Sequence, residues 1–332
     1  MKALIQKLVE TVGPSGHEKA LRDLVRAEIG GLADELRVDA LGNMIARKGS
    51  RRDGGLRIML SAHMDEIGII ATHIDANGFV RFTTVGGVSP MTCLGGRVRF
   101  LDGTPGVIGA ERLEQYDKFP TLEQLFVDVG ATSPADCPVR VGDMAGFDRS
   151  FLDLGERMVA KSMDDRVSVA ILIETMRRLK DSPHELYFVF STQEEVGLRG
   201  ARVAAYGVDP DLGISVDVTR TGDTPKSARM AVGLGRGPAI KVRDDGMLAD
   251  PRVVNLMVSA AERAGLPYQL EVLERGTTDA AAIQTTRAGV PAGCVSIPCR
   301  YIHSPSEMVD TSDVQNAVRL LVELLSGPLE LG

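Results

Sequence analysis

The chain has 332 residues, 44% of them hydrophobic and 25% charged, with 45 acidic against 38 basic residues and a net charge of -7. This is the composition of an ordinary folded protein, and its length exceeds one compact core, so a large domain with an insertion or a second domain is expected. The acidic balance, with no Lys/Arg run longer than Arg51-Arg52, argues against nucleic acid or an anionic membrane as a partner.

At the N-terminus, Leu4, Ile5, Leu8, Val9 and Val12 recur at helical spacing, with charges interspersed as a signal peptide would not have them. This helix should end near Gly13-Pro14. Ser15 and Glu18 are spaced as a capping box that would open a second helix running to about Ile29. A hairpin is expected over Leu36–Asp39 and Met44–Arg47, and Leu56–Ala62 reads as a short strand covered on both faces. From about Gly68 to Arg157 the texture changes to short strand-like runs separated by Gly and Pro, which predicts an all-β module. Thereafter α/β alternation resumes. Helices are expected at Arg166–Leu179, Pro251–Ala264, Asp279–Ala288 and Ser312–Leu325, and strands at Leu186–Ser191, Leu212–Val218, Tyr268–Val272 and Ala292–Ile297. The fold class is therefore α/β, a sheet sandwiched by helices, with residues 1–67 and 158–332 forming one domain and residues 68–157 a β-rich insertion. No stretch approaches the roughly 18 apolar residues of a membrane span. The four cysteines form no C-x-x-C pair, which suits a reducing compartment, so a soluble cytoplasmic protein is expected.

The unusual polar residues fall at strand ends. His63-Met-Asp65-Glu66 follows one apolar strand, Glu194-Glu195 another, Asp217 sits late in a third, and His303 lies just past a fourth. Asp164-Asp165 precedes a helix. Ligands of open α/β sheets collect outside the carboxyl ends of the strands. Singly, each residue has a plain reading as a helix cap, a turn or a solvated loop, except Asp217, whose apolar surroundings demand a partner for its charge. Together, two histidines and several carboxylates at one edge suit a hydrolytic pair of divalent ions, Zn, Co or Mn, with a further Glu as base. His17, His73 and His184 read as structural. Gly233-Leu-Gly-Arg-Gly237 is no dinucleotide fingerprint, because Pro238 and a strand-like run follow it. Gly276-Thr-Thr-Asp279 reads equally as a helix cap or as part of a substrate site.

The motifs Ala62-His-Met-Asp-Glu-Ile-Gly68, Lys161-Ser-Met-Asp-Asp-Arg166, Thr192-Gln-Glu-Glu-Val-Gly197, Ser215-Val-Asp217 and Arg300-Tyr-Ile-His-Ser-Pro305 resemble the tetrahedral (TET) aminopeptidases. These dinuclear metallopeptidases are also called glutamyl or deblocking aminopeptidases, and sometimes cellulase M or endoglucanase-like. The likeness extends over essentially the whole chain. It implies a zinc-exopeptidase-like domain with an inserted dimerisation domain, and dimers assembled into a hollow tetrahedral dodecamer that admits short peptides. By the same resemblance Asp164 bridges two metal ions, with His63 and Asp217 completing one site and Glu195 and His303 the other. Glu194 is then the general base, Asp65 orients His63, and the Asp164-Asp165 peptide is cis. The activity implied is removal of N-terminal residues from peptides. The alternatives are a related di-metal deacylase or carboxypeptidase, a glycoside hydrolase, whose two facing carboxyls adjacent Glu194 and Glu195 do not supply, and a non-catalytic scaffold.

Overall fold

The computed structural model describes residues 1–112 and 118–331. Its large sheet has four parallel strands at the centre, in the order Glu185–Ser191, Arg57–His63, Leu212–Thr219 and Ala292–Arg300. The antiparallel hairpin Glu35–Val38 and Met44–Lys48 extends one side. On the other side Ala292–Arg300 is shared. Its first half pairs with Ala239–Arg243, which carries Gln269–Val272, and its second half with Glu307–Asp310, followed by Arg157–Ala160 and Leu152–Asp153.

The apolar runs explain this arrangement. Every residue of Leu212–Thr219 is buried, as suits a strand covered on both faces. Ile58, Leu60, Phe188, Phe190, Ile214 and Val216 join the large core with the helices Lys2–Glu10, Lys19–Ile29, Met163–Arg178, Pro251–Arg263 and Thr311–Ser326. Their neighbours Met59 and Val189 point the other way, onto Ala204, Ala205 and Val208 of the helix Arg199–Val208 and Ile283 of the helix Asp279–Gln284. Burying one such Phe or Leu contributes about 1.5–3 kcal/mol, and Phe188→Ala would cost about 3–5 kcal/mol because the site cannot fully collapse.

Two expected features differ, and two elements appear that the sequence did not suggest. Ser15 and Glu18 do not form a capping box; neither side chain caps the helix Lys19–Ile29, because both are engaged by the site described below. The helix from Asp279 stops at Gln284, about one turn short of the expected end at Ala288, and the helix Arg199–Val208 and strand Glu307–Asp310 have no counterpart in the sequence expectation.

Within residues 68–147, six strands close a barrel in the order Gly68–Ile74, Val80–Val85, Leu125–Asp128, Pro105–Ala110, Arg97–Phe100 and Met144–Phe147. Alternation is plain in Arg97–Phe100, where the two arginines face out while Val98 and Phe100 join an inner core with Ile69, Phe82, Ile108 and Val127. Gly78, at φ +87, allows the tight turn between the first two strands, where a Cβ would also strike Ala131.

A buried ion cluster fastens the point where the chain leaves the sheet for the barrel. Glu66 accepts hydrogen bonds from the Gly13 N–H at 2.7 Å, from Lys161 Nζ at 2.5 Å and from the Ser162 hydroxyl. Beside it, fully buried Arg166 donates to the carbonyls of Met64, Leu8 and Thr11. Removing one partner of such a set typically costs about 3–5 kcal/mol, since it strands a buried charge. No helix among the described residues is long and apolar enough to cross a membrane.

Candidate active site

The carboxyl ends of the four parallel strands converge on one cleft. His63 is the last residue of its strand, beside Ser191 of the next. Asp217 lies on the neighbouring strand, its Oδ1 accepting from the Val218 N–H at 2.7 Å. Asp164 enters from the start of the helix Met163–Arg178, where Asp164 and Asp165 are not helical and the peptide between them is cis. His63 Nε2 lies 3.0 Å from Asp164 Oδ1 and 3.9 Å from Glu194 Oε2, whereas His303 Nε2 lies 3.3 Å from both Asp164 Oδ2 and Glu195 Oε2. The donors thus form two groups sharing one carboxylate: His63, Asp164 and Asp217, then Asp164, Glu195 and His303. Within each group one donor atom per residue lies within 4.8 Å of the others. All five residues expected to be ligands are brought together, with Glu194 beside them.

Hydrogen bonds hold the loops that carry the second group. The Asp65 carboxylate accepts from the backbone N–H groups of Glu194 at 3.0 Å and Glu195 at 3.2 Å, and from the Ser15 hydroxyl at 2.6 Å. Toward His63 Nδ1 it offers a backbone oxygen at 3.1 Å and Oδ1 at 3.5 Å, so Asp65 orients the acidic loop at least as much as the imidazole. Glu18 accepts from the Gln193 N–H and Asn43 from the Thr192 N–H, which explains where the supposed helix cap went. Below the strand ends, Asp279 Oδ2 takes the hydroxyls of Ser61 and Ser191, both at 2.5 Å, while Thr278 caps the short helix. The Gly276–Asp279 segment therefore both caps a helix and meets the cleft, since Gly276, Thr277 and Thr278 line it. His184 is structural, bonded to the backbone of Leu56 and Gly327, and His17 and His73 are exposed away from the cleft.

The barrel reaches the site through Gly86 and Gly87. A Cβ on Gly86 would lie 3.2 Å from Glu195 Oε2, and one on Gly87 would lie 2.6 Å from His303 Nδ1. Beyond the acids the cleft opens to about 340 Å³, walled by Leu198, Val218, Leu273 and Ile302 with Arg220 and Arg275 beside them.

Electrostatics make the donor set ill at ease by itself. Burial, then repulsion from Asp217, pushes the Glu194 carboxyl well above the usual carboxylate range; burial and Asp164 do the same to Glu195, and burial raises Asp217, His63 opposing. Burial opposes charge on His63, but Glu194, Asp164 and Asp65 outweigh it and raise its pKa well up. Asp164 is the exception: despite burial, His303 and His63 hold its carboxyl below the usual range. Glu195 Oε1 is buried and takes no hydrogen bond among the described residues. Crowded buried carboxylates, one imidazole per group and an orphaned carboxylate oxygen are what a divalent cation would satisfy, so the residues fit such an ion.

Sequence reasoning missed Glu307, whose buried carboxylate accepts from the backbone N–H groups of both Asp164 and His303. Its only signal was an acidic residue four positions past His303, too common a spacing to weigh.

Comparison with known proteins places the chain in a family. The M42 glutamyl aminopeptidase family matches residues 42–320. A lysyl aminopeptidase of Pyrococcus furiosus is 37% identical, over 97% of this chain and 96% of its own. Among solved structures, an aminopeptidase from the archaeon Desulfurococcus kamchatkensis superposes with a TM-score of 0.94 at 41% identity, covering 98% of this chain and 94% of that one. The Pyrococcus horikoshii TET1 peptidase, which can assemble into a tetrahedron or a large octahedral shell, gives 0.88 at 32% identity, covering 98% and 99%. With the family match spanning residues 42–320, and so the central strands of the sheet, the barrel and the segment from His63 to His303, the chain belongs to the M42 glutamyl aminopeptidase family of peptide hydrolases.

Proposed function

We propose that the chain is a metal-dependent aminopeptidase releasing N-terminal residues from short peptides, with two divalent cations per subunit and Glu194 as general base. The observation that carries this reading is the two-sided setting of Asp164, one oxygen toward His63 and the other toward His303. A carboxylate so placed serves both groups, His63 and Asp217 completing one and Glu195 and His303 the other. Oxygen-rich ligation with one imidazole each suits Zn or Co, and Mn as well. Bound there, such cations supply Lewis-acid polarisation of a peptide carbonyl and acidify a water. The chain's own residues do the remaining work. Glu194, beside His63 but outside both groups, takes the proton of the attacking water on its carboxylate and passes it to the leaving amine. Asp65, through the Glu194 and Glu195 N–H groups, keeps that carboxylate in place. The excess of acid at the cleft also attracts the free α-ammonium group of a peptide.

Two further readings accompany this one. Residues 68–157 serve as an inserted dimerisation domain between the segments 1–67 and 158–332 of a helix-sandwiched catalytic domain, with dimers building a dodecamer. Supporting this, the barrel side exposes Met91, Leu94, Val107 and Val141, and the P. horikoshii relative forms tetrahedra. A cytoplasmic setting suits the four cysteines, all of them free.

The test compares Leu- or Glu-nitroanilide with the N-acetylated counterpart, before and after chelation. Cleavage should vanish with chelator and return with Zn or Co, and the acetylated substrate should react at least roughly tenfold more slowly, because a charged hydrogen bond is lost. A preference for acetylated substrates, or trimming from the C-terminus, would sink the aminopeptidase assignment.

A further inference from the structure

One fully buried carboxylate has no part in the chemistry above. Glu307 is 1% exposed and opens the strand Glu307–Asp310, where it pairs with Ala160 of Arg157–Ala160. It therefore stands where the chain running from Ala160 to Asp164 meets the loop that follows Ala292–Arg300. Its two oxygens are divided between them. Oε2 accepts from the Asp164 N–H at 2.9 Å, and Oε1 accepts from the His303 N–H at 2.8 Å. Of the side chains that could occupy this position, a carboxylate alone offers an acceptor to each N–H, since an amide would turn its NH2 on one of them.

Both partners need such a hold. His303 and Tyr301 each have φ +62, and Ser162, two residues before Asp164, has φ +57, a left-handed backbone that residues other than glycine adopt only when their surroundings enforce it. Burial and the nearby Asp164 both oppose the charge on Glu307, so a carboxylate is an expensive choice if filling space were its only task. Nothing else among the described residues joins the backbones of Asp164 and His303 through one side chain.

We propose that Glu307 is a positioning residue that sets the placement of Asp164 against His303, and through it the affinity of the Asp164–Glu195–His303 group for its cation, without touching cation or substrate. This rests on the two-cation reading given above. The group His63–Asp164–Asp217 is braced by the sheet at His63 and Asp217, so it depends less on Glu307.

The experiment strips the full-length protein of metal and titrates it with Zn²⁺ or Co²⁺ against a competing chelator, for the wild type, Glu307→Gln and Glu307→Asp. Expected are two cations on the wild type and, in Glu307→Gln, one affinity within about threefold of wild type and the other weakened about 10–100-fold. Turnover of the variant should return as cation is raised, with KM for the nitroanilide unchanged. Equal weakening of both cations with a lower Tm of the metal-free variant would make Glu307 merely structural, and two unchanged affinities would deny it any role. Either result overturns the proposal while leaving the two-cation reading intact; a wild type that binds fewer than two cations overturns both. Should the variants fail to fold, hydrogen exchange on the wild type decides. The amides of Asp164 and His303 should be protected without any cation, and protection that arises only on loading would overturn the proposal.

Discussion

The two donor groups share Asp164 but are built differently. His63 and Asp217 stand on strands that pair directly with each other, and both are buried, so the sheet gives this group its rigidity. Glu195 and His303 sit on loops, and His303 is about one-third exposed. Their positions come from Asp65, from Glu307 and from two glycines of the barrel. One group is a product of the sheet, the other of tertiary contacts reaching in from three directions. A pair of cation positions can thus differ in stiffness while sharing a ligand, and substitutions should separate them.

The largest effect is expected at the shared residue. Asp164→Ala should lose both cations and with them all activity, because each group is left with two donors. His303→Ala should lose one cation and keep the other on His63 and Asp217. Metal counting on the purified proteins checks this; equal loss of a single ion in both variants would rule out Asp164 as the bridge.

Next in size is Glu194→Gln, which should cut turnover by about 10²–10⁴ with both cations retained. Glu194 lies 3.9 Å from His63 yet belongs to neither group, so the stiff and the soft positions should be equally untouched. Near-normal activity of the variant, at full metal content, would mean the base is elsewhere.

A smaller effect concerns stability and tests the buried acids as a whole. Without cations, burial and mutual repulsion raise the carboxyls of Glu194, Glu195 and Asp217, and neighbouring carboxylates raise His63 against its burial. Below those raised pKa values and above the ordinary values of about 4.3 for Glu and about 6.5 for His, the folded chain holds more protons than the unfolded one. Metal-free protein should therefore gain stability as pH falls from about 8 to about 5, the His63 share being complete near its unfolded value. Asp164 runs the other way, but its lowered carboxyl gives up stability only in stronger acid. Loaded protein should lose stability over the same range, as protons displace the cations. Melting curves with and without chelator at three pH values measure both trends. A metal-free protein that weakens steadily toward pH 5 would contradict this account of the cluster.

Legibility in the sequence follows the same division. The strands Arg57–His63, Glu185–Ser191, Leu212–Thr219 and Ala292–Arg300 announce themselves as apolar runs, and polar residues at their ends mark a cleft before any geometry is known. That logic finds His63 and Asp217 easily. It finds Glu194, Glu195 and His303 as suspects, but offers nothing about what holds them. Ser15 and Glu18 mislead because a cap motif and a pair of long-range supports have the same local spelling. Glu307 and Gly87 are silent for the same reason: their meaning lies in contacts with residues far away in the chain. The resemblance to TET aminopeptidases supplied the pairing of donors that strand logic left open.

The smallest effect should come from Gly87, and it probes the softer group from the barrel side. Gly87 does not have positive φ, so alanine is acceptable to its backbone. The obstacle is space, for the new Cβ would stand 2.6 Å from Nδ1 and 2.8 Å from Cε1 of the His303 ring. Contacts that short are not tolerated, so either the ring or the loop must yield by roughly an ångström. The neighbouring loop residue Gly86 runs near enough to Ile67 and Glu195 that a Cβ there would lie 2.9 and 3.1 Å from their side chains, which leaves the loop little room to retreat. The ring should therefore move, and a displacement of that size costs up to about 10²-fold in rate when it touches the reacting geometry. We expect Gly87→Ala to lower turnover about tenfold, weaken one cation and leave the cation on His63 and Asp217 as in the wild type. Because the change lies outside the sheet, the melting temperature of the metal-free protein should hardly shift. If both cations weaken alike, the two positions are not independent in stiffness, and the contrast between a group built by the sheet and one built by its surroundings fails.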